Sequence, residues 1–266
     1  MKNIYLFDVD GTLTEAKQDI DPIFRQQFLK WMGGKNVFIV SGGTFERILG
    51  QVGTKILNKT SGIFACMGNA FLQKSDLAEN PSFRDRSWFC INDESGYNEW
   101  QLIYENNFIA PDELFEQLDR IVSESEFPIK TGRHHEVRTG MVNFSIVGRN
   151  ANQEQRKRYE DWDAEKQERK QIVEVLKKKF NTLDFVIGGA VSMDIFNKGN
   201  DKSQIIKRYF EEALEHNKFH FVGDRVPSPG NDHTLAEKLR KHPNGAAYEV
   251  ETWEDTAKLL KSPPFV

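Results

Sequence analysis

The stretch Asn3-Ile-Tyr-Leu-Phe-Asp-Val-Asp-Gly-Thr-Leu-Thr14 sets a short apolar run directly before two aspartates. The run Asn3–Phe7 has the length of a strand, and Gly11 permits a sharp turn after it. A continuous apolar run that ends in Asp and Gly suits a strand covered on both faces, as in a parallel sheet. Asp8 and Asp10 can then divide the chemistry, one as nucleophile and cation ligand and the other as general acid and base.

Two further apolar runs of strand length also end in glycine and polar residues. Val37–Val40 is followed by Ser41-Gly42-Gly43, and Phe219–Val222 is followed by Gly223-Asp224. Between the first two runs, residues 20–32 place apolar side chains at helical spacing. This order predicts an α/β core built on a parallel sheet. Because ligands bind at the carboxyl edge of such sheets, the three polar strand ends predict a single crevice.

The middle of the chain has a different character. A helix is predicted over 111–123, and β-forming residues alternate over 135–147. Residues 152–180 are densely charged, which predicts one or two surface helices with a break near 161–163. This block predicts a separate α+β module inserted into the core. The predicted domains are a catalytic core over 1–83 and 189–266 and an inserted cap over 84–188.

Composition limits the classes of partner. Of 266 residues, 38% are hydrophobic and 29% charged, which suffices for a packed core. The formal net charge of −4 argues against a bulk electrostatic grip on nucleic acid or on an anionic membrane. No stretch of about 20 apolar residues is present, and Asp8 interrupts the first apolar run too early for a secretory signal. Two cysteines, Cys66 and Cys90, predict reduced thiols. We therefore expect a soluble, cytoplasmic protein with no nucleic-acid or membrane partner.

The aspartate motif at 8–14 resembles the first motif of the haloacid dehalogenase (HAD) superfamily. The resemblance implies that Asp8 is the nucleophile that accepts the phosphoryl group. It implies that Asp10 protonates the leaving group, and that its backbone carbonyl also binds Mg²⁺. An aspartate attacks a phosphate only if charge repulsion is offset, and a hard dication held by Asp8 and Asp224 would offset it.

The remaining superfamily motifs occur in order along the chain. Ser41, Gly42 and Gly43 match the motif that offers a hydroxyl and backbone N–H groups to phosphoryl oxygens. Lys202 matches the motif that supplies a fixed positive charge, and Asp224 matches the last acidic motif, a metal ligand. Three further residues are expected to contact these groups and hold them in place without touching the substrate: Thr12, Asn231 and Asp232.

The inserted block resembles the cap of eukaryotic-type phosphomannomutases, most clearly at 136–160 and 187–203. In that family three cap arginines bind the distal phosphate of the sugar, and Arg138, Arg149 and Arg156 match their spacing. Three guanidiniums can enclose a phosphate with forked hydrogen bonds.

The resemblance also implies the sugar contacts. Ser192 and Asp194 match a serine and an aspartate that contact the sugar; residues two apart on a strand share a face. Lys17 stands where the family has a further arginine near the nucleophile loop. Ser41 departs from the family pattern and is more similar to sugar phosphatases of the same superfamily.

The resemblance predicts an α/β fold: a HAD-like Rossmannoid core with a parallel sheet and an inserted α+β cap of type C2. The implied activity is Mg²⁺-dependent phosphomannomutase, which interconverts mannose 6-phosphate and mannose 1-phosphate. An aspartyl phosphate, a hexose 1,6-bisphosphate activator and a homodimer formed through the caps are implied with it. A sugar phosphate phosphatase is the first alternative, and a non-catalytic protein that binds sugar phosphates is the second.

Overall fold

The computed structural model describes residues 1–74, 88–93 and 96–266, with backbone alone given for 88–93 and 96–98. Numbered in chain order, the strands are β1 (Asn3–Phe7), β2 (Asn36–Val40), β3 (Gly62–Ala65), β4 (Ala70–Lys74), β5 (Trp88–Asp93), β6 (Gly96–Glu105), β7 (His135–Arg138), β8 (Met141–Phe144), β9 (Leu183–Gly188), β10 (Ser192–Asn197), β11 (Lys218–Gly223) and β12 (Gly245–Glu249). The α-helices are α1 (Pro22–Trp31), α2 (Phe45–Val52), α3 (Thr54–Leu57), α4 (Asp112–Glu124), α5 (Gln153–Lys166), α6 (Glu168–Lys179), α7 (Glu211–His216), α8 (His233–Arg240) and α9 (Trp253–Leu259).

The larger sheet has the strand order β12-β11-β1-β2-β3-β4-β6-β5. The strands from β12 to β3 run parallel, and β4, β6 and β5 extend the sheet antiparallel. The three predicted strands at the chain positions 3–7, 37–40 and 219–222 are β1, β2 and β11, and they are neighbours in this sheet. The predicted α/β fold with a parallel sheet is therefore confirmed.

Both faces of the larger sheet are covered, which explains its continuous apolar strands. Tyr5 and Phe7 of β1 face the cluster that holds Phe24 and Phe28 of α1. Ile4 and Leu6 point to the opposite face, where they join a second cluster with Leu235 of α8. Alternate side chains of one strand thus enter two cores, as in a doubly covered parallel sheet.

The smaller sheet is antiparallel throughout, with the order β7-β8-β10-β9. Helices α4, α5 and α6 bury apolar residues against it in a third cluster, which includes Leu118, Tyr159 and Leu176. This sheet with its helices forms the α+β cap, inserted between β6 and the segment that leads to β11.

The predicted domain boundaries need correction. Strand β6 lies inside the predicted cap, yet it pairs with β4 in the larger sheet. Strand β10 lies inside the predicted core, yet it pairs with β8 and β9 in the cap sheet. The predicted boundary at 83/84 falls outside the described residues. Hydrophobic runs alone did not reveal the pairings of β6 with β4 and of β10 with β8, because these partners are distant in sequence.

The charged segment 152–180 forms two helices, and the break between them lies at Gln167 rather than near 161–163. Gln167 adopts a left-handed conformation (φ 55°), which ends α5 and begins α6. Cys66 is buried and forms no disulfide, and the side chain of Cys90 lies outside the described residues. In the described part of the chain, no helix is both long enough and apolar enough to cross a bilayer.

Candidate active site

The site centres on a buried lysine between two aspartates. Lys202 Nζ donates to Asp8 Oδ1 at 2.7 Å and to Asp232 Oδ1 at 2.6 Å, and the lysine is fully buried. Burial lowers the pKa of Lys202, but the two carboxylates outweigh burial and hold that pKa above its ordinary value. Burial raises the pKa of Asp8 to about 7, although Lys202 opposes the shift. Lys202 is therefore a fixed positive charge beside the predicted nucleophile.

Asp8, Asp224 and Asp232 form an acidic cluster whose carboxylate oxygens lie within 4.8 Å of one another. Burial, together with the charges of Asp8 and Asp232, raises the pKa of Asp224 well above its ordinary value. Asp224 Oδ1 is buried and accepts no hydrogen bond from any described residue. Asp232 instead accepts from Lys202 and from the Arg225 N–H. The free oxygens therefore belong to Asp8 and Asp224, a donor set that suits Mg²⁺.

Gly11 allows the nucleophile loop to approach Asp224. A Cβ at position 11 would lie 2.4 Å from Asp224 Oδ2, and Gly11 has a positive φ of 79°. A side chain here would both strain the backbone and displace a candidate metal ligand.

Asp10 is held by groups other than the acidic cluster. Its carboxylate accepts from Arg47 Nη2 at 2.6 Å, from Gln51 Nε2 at 2.9 Å and from the Lys17 N–H at 2.8 Å. Burial raises the pKa of Asp10, but the charge of Arg47 and these hydrogen bonds outweigh burial and keep it below its ordinary value. Its side chain is therefore ionised and poised as a base; the role of its backbone carbonyl stays a prediction.

The loop after β2 lies at the same edge of the sheet. Ser41 is buried, and its Oγ accepts from the Gly43 N–H at 3.0 Å. The Gly42 carbonyl accepts from Arg138 Nη1 of the cap at 2.9 Å. Ser41 and Gly42 line a narrow cleft together with Asp8 and other site residues. The loop therefore lines the same cleft as Asp8 and contacts Arg138 of the cap.

Two of the predicted cap arginines, Arg138 and Arg156, line this cleft, and Arg149 lies behind its wall. Glu136 Oε2 accepts from Arg138 Nη2 at 2.5 Å and from Arg149 Nη2 at 2.7 Å. Arg156 is buried, and its Nη1 donates to no group in the described residues. Burial, then the neighbouring charges of Arg156, Arg149 and Arg47, lowers the pKa of Lys17 to about 7. A cleft with several crowded cations, one of which has an unused donor, suits an anionic ligand.

The predicted sugar contacts face the same cleft. Asp194 Oδ1 accepts from Asn143 Nδ2 at 2.7 Å, and Asn143 Oδ1 in turn accepts from Arg149 Nη1 at 2.6 Å. Ser192 Oγ donates to the Gly188 carbonyl at 2.8 Å. Asn231 also lines the cleft, and its Oδ1 has no hydrogen-bond partner in the part of the chain described.

Thr12 differs from its expected supporting role. Its Oγ1 is buried and has no hydrogen-bond partner among the residues described, while its carbonyl accepts from Thr256 Oγ1 at 2.7 Å. Thr12 therefore ties the nucleophile loop to α9 through its backbone rather than through its hydroxyl.

Sequence reasoning missed three site residues: Arg47, Glu136 and Asn143. Arg47 lies one helical turn before Gln51 on α2, so both can reach Asp10 from one face. Glu136 and Arg138 are two apart on β7 and share a face. Those spacings were visible in the sequence, but Asp10 lies outside α2 and Arg149 lies outside β7, so the contacts that give Arg47 and Glu136 their place in the site depend on the fold.

A parallel sheet whose carboxyl edge lies beneath an inserted α+β cap is the architecture of HAD-type enzymes, and structural neighbours agree with it. An IMP-nucleotidase from Plasmodium falciparum is similar with a TM-score of 0.57 at 12% identity, over 98% of this chain and 67% of that one. A trehalose-6-phosphate phosphatase related protein is similar with a TM-score of 0.50 at 16% identity, over 97% and 95%.

Sequence comparison narrows the class. A family model described as eukaryotic phosphomannomutase matches residues 24–263. A phosphomannomutase of Solanum lycopersicum is 33% identical over 96% of this chain and 91% of its own length. One from Saccharomyces cerevisiae is 31% identical over 97% and 93%. The chain belongs to the eukaryotic phosphomannomutase family and is an enzyme.

Proposed function

We propose that this enzyme is a Mg²⁺-dependent phosphomannomutase that interconverts mannose 6-phosphate and mannose 1-phosphate. The observation that carries the proposal is the pairing of two phosphate-binding features in one cleft. Asp8, which Lys202 contacts, lines the cleft from the core, and Arg138 and Arg156 line it from the cap, with Arg149 behind them on Asn143. A hexose bisphosphate has one phosphate for each feature.

The first transfer would begin from a hexose 1,6-bisphosphate. An oxygen of Asp8 attacks the phosphorus, and the bond from phosphorus to the sugar oxygen breaks. For this step the Asp10 carboxylate first takes up a proton from solvent, and it then gives that proton to the sugar oxygen as the bond breaks. The products are a hexose monophosphate and an aspartyl phosphate at Asp8. Lys202 supports the charge that develops on the transferring group.

The second transfer would return the phosphoryl group to a different oxygen. With mannose 1-phosphate in the cleft, ionised Asp10 takes the proton of the C6 hydroxyl as its oxygen attacks the phosphoaspartate. The bisphosphate then reorients, and an Asp8 oxygen attacks the phosphorus of its C1 phosphate. As the bond to the C1 oxygen breaks, Asp10 returns its proton to that oxygen, which leaves mannose 6-phosphate and the aspartyl phosphate. The ionised Asp10 held by Arg47 and Gln51 suits this base role.

Magnesium would be held by Asp8 and Asp224, whose carboxylates offer oxygens within 4.8 Å of one another and include the unpartnered Asp224 Oδ1. When bound, it would offset the repulsion between the Asp8 carboxylate and the anionic phosphate. The positive charge of Lys202 also reduces this repulsion, and its effect does not depend on the metal.

The homodimer through the cap is proposed from the family resemblance alone. Light scattering of the purified protein tests it. A mass of twice 30.8 kDa supports the dimer, and a single-chain mass contradicts it.

A dual readout tests the proposed reaction. Purified protein with Mg²⁺, mannose 1-phosphate and a trace of glucose 1,6-bisphosphate is assayed for mannose 6-phosphate and free phosphate together. Mannose 6-phosphate without stoichiometric phosphate supports a mutase. Asp8→Asn should abolish turnover while leaving the thermal midpoint near that of the wild type, and retained turnover would refute the nucleophile assignment.

Arg149→Ala tests the cap half of the proposal. We expect sugar phosphate binding to weaken by more than tenfold, because a charged hydrogen bond contributes about 1.5–3 kcal/mol. Exposed Arg158 on α5 offers the matched control, Arg158→Ala. Unchanged KM and kcat in Arg149→Ala would remove the cap pocket from the proposal.

Ser41 favours a second candidate, a sugar phosphate phosphatase. A buried hydroxyl beside Asp8 is the feature on which this alternative rests. Release of free phosphate without mannose 6-phosphate would establish it. The non-catalytic alternative is disfavoured, because a simple binder needs neither Lys202 between Asp8 and Asp232 nor a separately held Asp10.

A further inference from the structure

A buried ion pair outside the cleft joins the two cap helices. Arg169 Nε donates to Asp163 Oδ2 at 2.7 Å, and the Arg169 N–H donates to Asp163 Oδ1 at 2.7 Å. The side chains are 6% and 10% exposed, respectively. Because Gln167 reverses the backbone between α5 and α6, Asp163 also caps the start of α6. The pair is thus held in one geometry.

The remaining donors of Arg169 are directed at the turn between β9 and β10. Its Nη1 donates to the Gly189 carbonyl at 3.0 Å and to the Ser192 carbonyl at 3.3 Å. Gly189 has a positive φ of 55°, a conformation that glycine adopts without strain. One guanidinium therefore contacts the carboxylate of Asp163 and both ends of this turn.

The turn at 189–191 connects β9 to β10 within the cap, next to the place where the cap contacts the catalytic edge of the core. Just before it, the Ile187 N–H donates to the Pro229 carbonyl, and the Ile187 carbonyl accepts from the Asn231 N–H. Gly189, Ser192 and Asp194 all line the cleft. A shift of this turn would move the sugar contacts relative to the core.

We infer that Arg169, oriented by Asp163, is a positioning residue for the sugar-binding side of the cleft. It lies outside the cleft that the sugar phosphate would occupy and acts by fixing the 189–192 backbone. Arg169 contacts Asp163 through Nε and the two carbonyls through Nη1, and the single ammonium nitrogen of lysine cannot occupy both of these positions. This inference rests on the proposed function, since it assigns the turn to sugar binding.

The test compares binding of mannose 1-phosphate with binding of inorganic phosphate, both measured by calorimetry. Arg169→Lys should weaken the binding of mannose 1-phosphate about tenfold, which corresponds to about 1.4 kcal/mol. The same change should weaken the binding of inorganic phosphate less than twofold. In turnover, KM should rise more than kcat falls. Arg158→Lys, an exposed change on α5, is the matched control and should alter neither affinity.

A second variant guards against misfolding. Asp163→Asn keeps the size of the side chain and should weaken the binding of mannose 1-phosphate about threefold. In the double variant with Arg169→Lys, it should weaken binding little further, because Asp163 acts through Arg169. Equal loss of both ligands in either variant would mean a purely structural role and overturn the inference. Wild-type affinity for mannose 1-phosphate in both variants would overturn it as well.

The two proposals fail in different ways. Wild-type protein that binds mannose 1-phosphate without converting it refutes the proposed reaction, while the sugar-selective loss in Arg169→Lys still supports the inference. Normal conversion with unchanged binding in the variants refutes the inference alone. Wild-type protein that does not bind mannose 1-phosphate overturns both.

Discussion

Lys202→Met tests the centre of the site. Lys202 is fully buried and donates to Asp8 and Asp232, and methionine fills a similar volume without the charge. Removing one partner of a buried ion pair costs about 3–5 kcal/mol, since the remaining charge is uncompensated. For a chain of this size each kcal/mol shifts the midpoint by about 2–3 °C, so we expect a fall of about 6–15 °C. Turnover should fall at least about 100-fold.

The pH dependence separates this cause from a general packing defect. The pKa of Lys202 is raised, so its stabilisation is complete below the ordinary lysine pKa and is lost only at higher pH, above the assay window. Between about pH 5 and 8, the loss of stability in the variant therefore arises from carboxylates that lack their cation. As pH falls those carboxylates take up protons, and the deficit should shrink.

Urea unfolding of the metal-free protein at pH 5, 6, 7 and 8 measures the deficit. Lys55→Met, at an exposed position, is the matched control and should change stability by less than about 0.5 kcal/mol. A deficit below about 1 kcal/mol at pH 8, or one that grows toward acid pH, would refute the reasoning.

Three further outcomes are expected. Arg47→Ala should raise the pKa of Asp10 and move the acid limb of the kcat/KM profile to higher pH; an unmoved limb contradicts the base role. In chelator, unfolding free energy should fall as pH rises toward 7, because folded Asp8 keeps its proton up to about pH 7; added Mg²⁺ should reverse this trend in urea titrations. Gly11→Ala should cost about 1–2 kcal/mol from its positive φ and weaken Mg²⁺ binding by displacing Asp224; unchanged Mg²⁺ affinity by calorimetry contradicts this.

The fold was predictable where local pattern and burial agree. The runs that became β1, β2 and β11 are apolar at their buried positions apart from His220, and each run ends in residues that form the site. The boundary of the cap was not predictable in the same way. Strands β6 and β10 each took partners distant in sequence, and only the assembled sheets show which domain each one joins.

The site residues likewise fall into those that a local motif predicts and those that depend on distant partners. Asp8, Lys202 and Asp224 were predicted because each belongs to a short motif at a strand or helix end. Arg47 and Glu136 were missed because each contacts a charged side chain outside its own helix or strand, Asp10 for Arg47 and Arg149 for Glu136. A single sequence indicates what a residue can do, whereas its partners depend on the tertiary fold.

The central position of β1 has a consequence for biosynthesis. Asn3 pairs with Lys218, so one edge of this apolar strand acquires its neighbour only when the late strand β11 has emerged from the ribosome. The cap sheet, in contrast, closes among β7 to β10 earlier in translation. During that interval the nascent chain carries a folded insert beside an unsatisfied strand edge, the kind of surface that chaperones shield from aggregation.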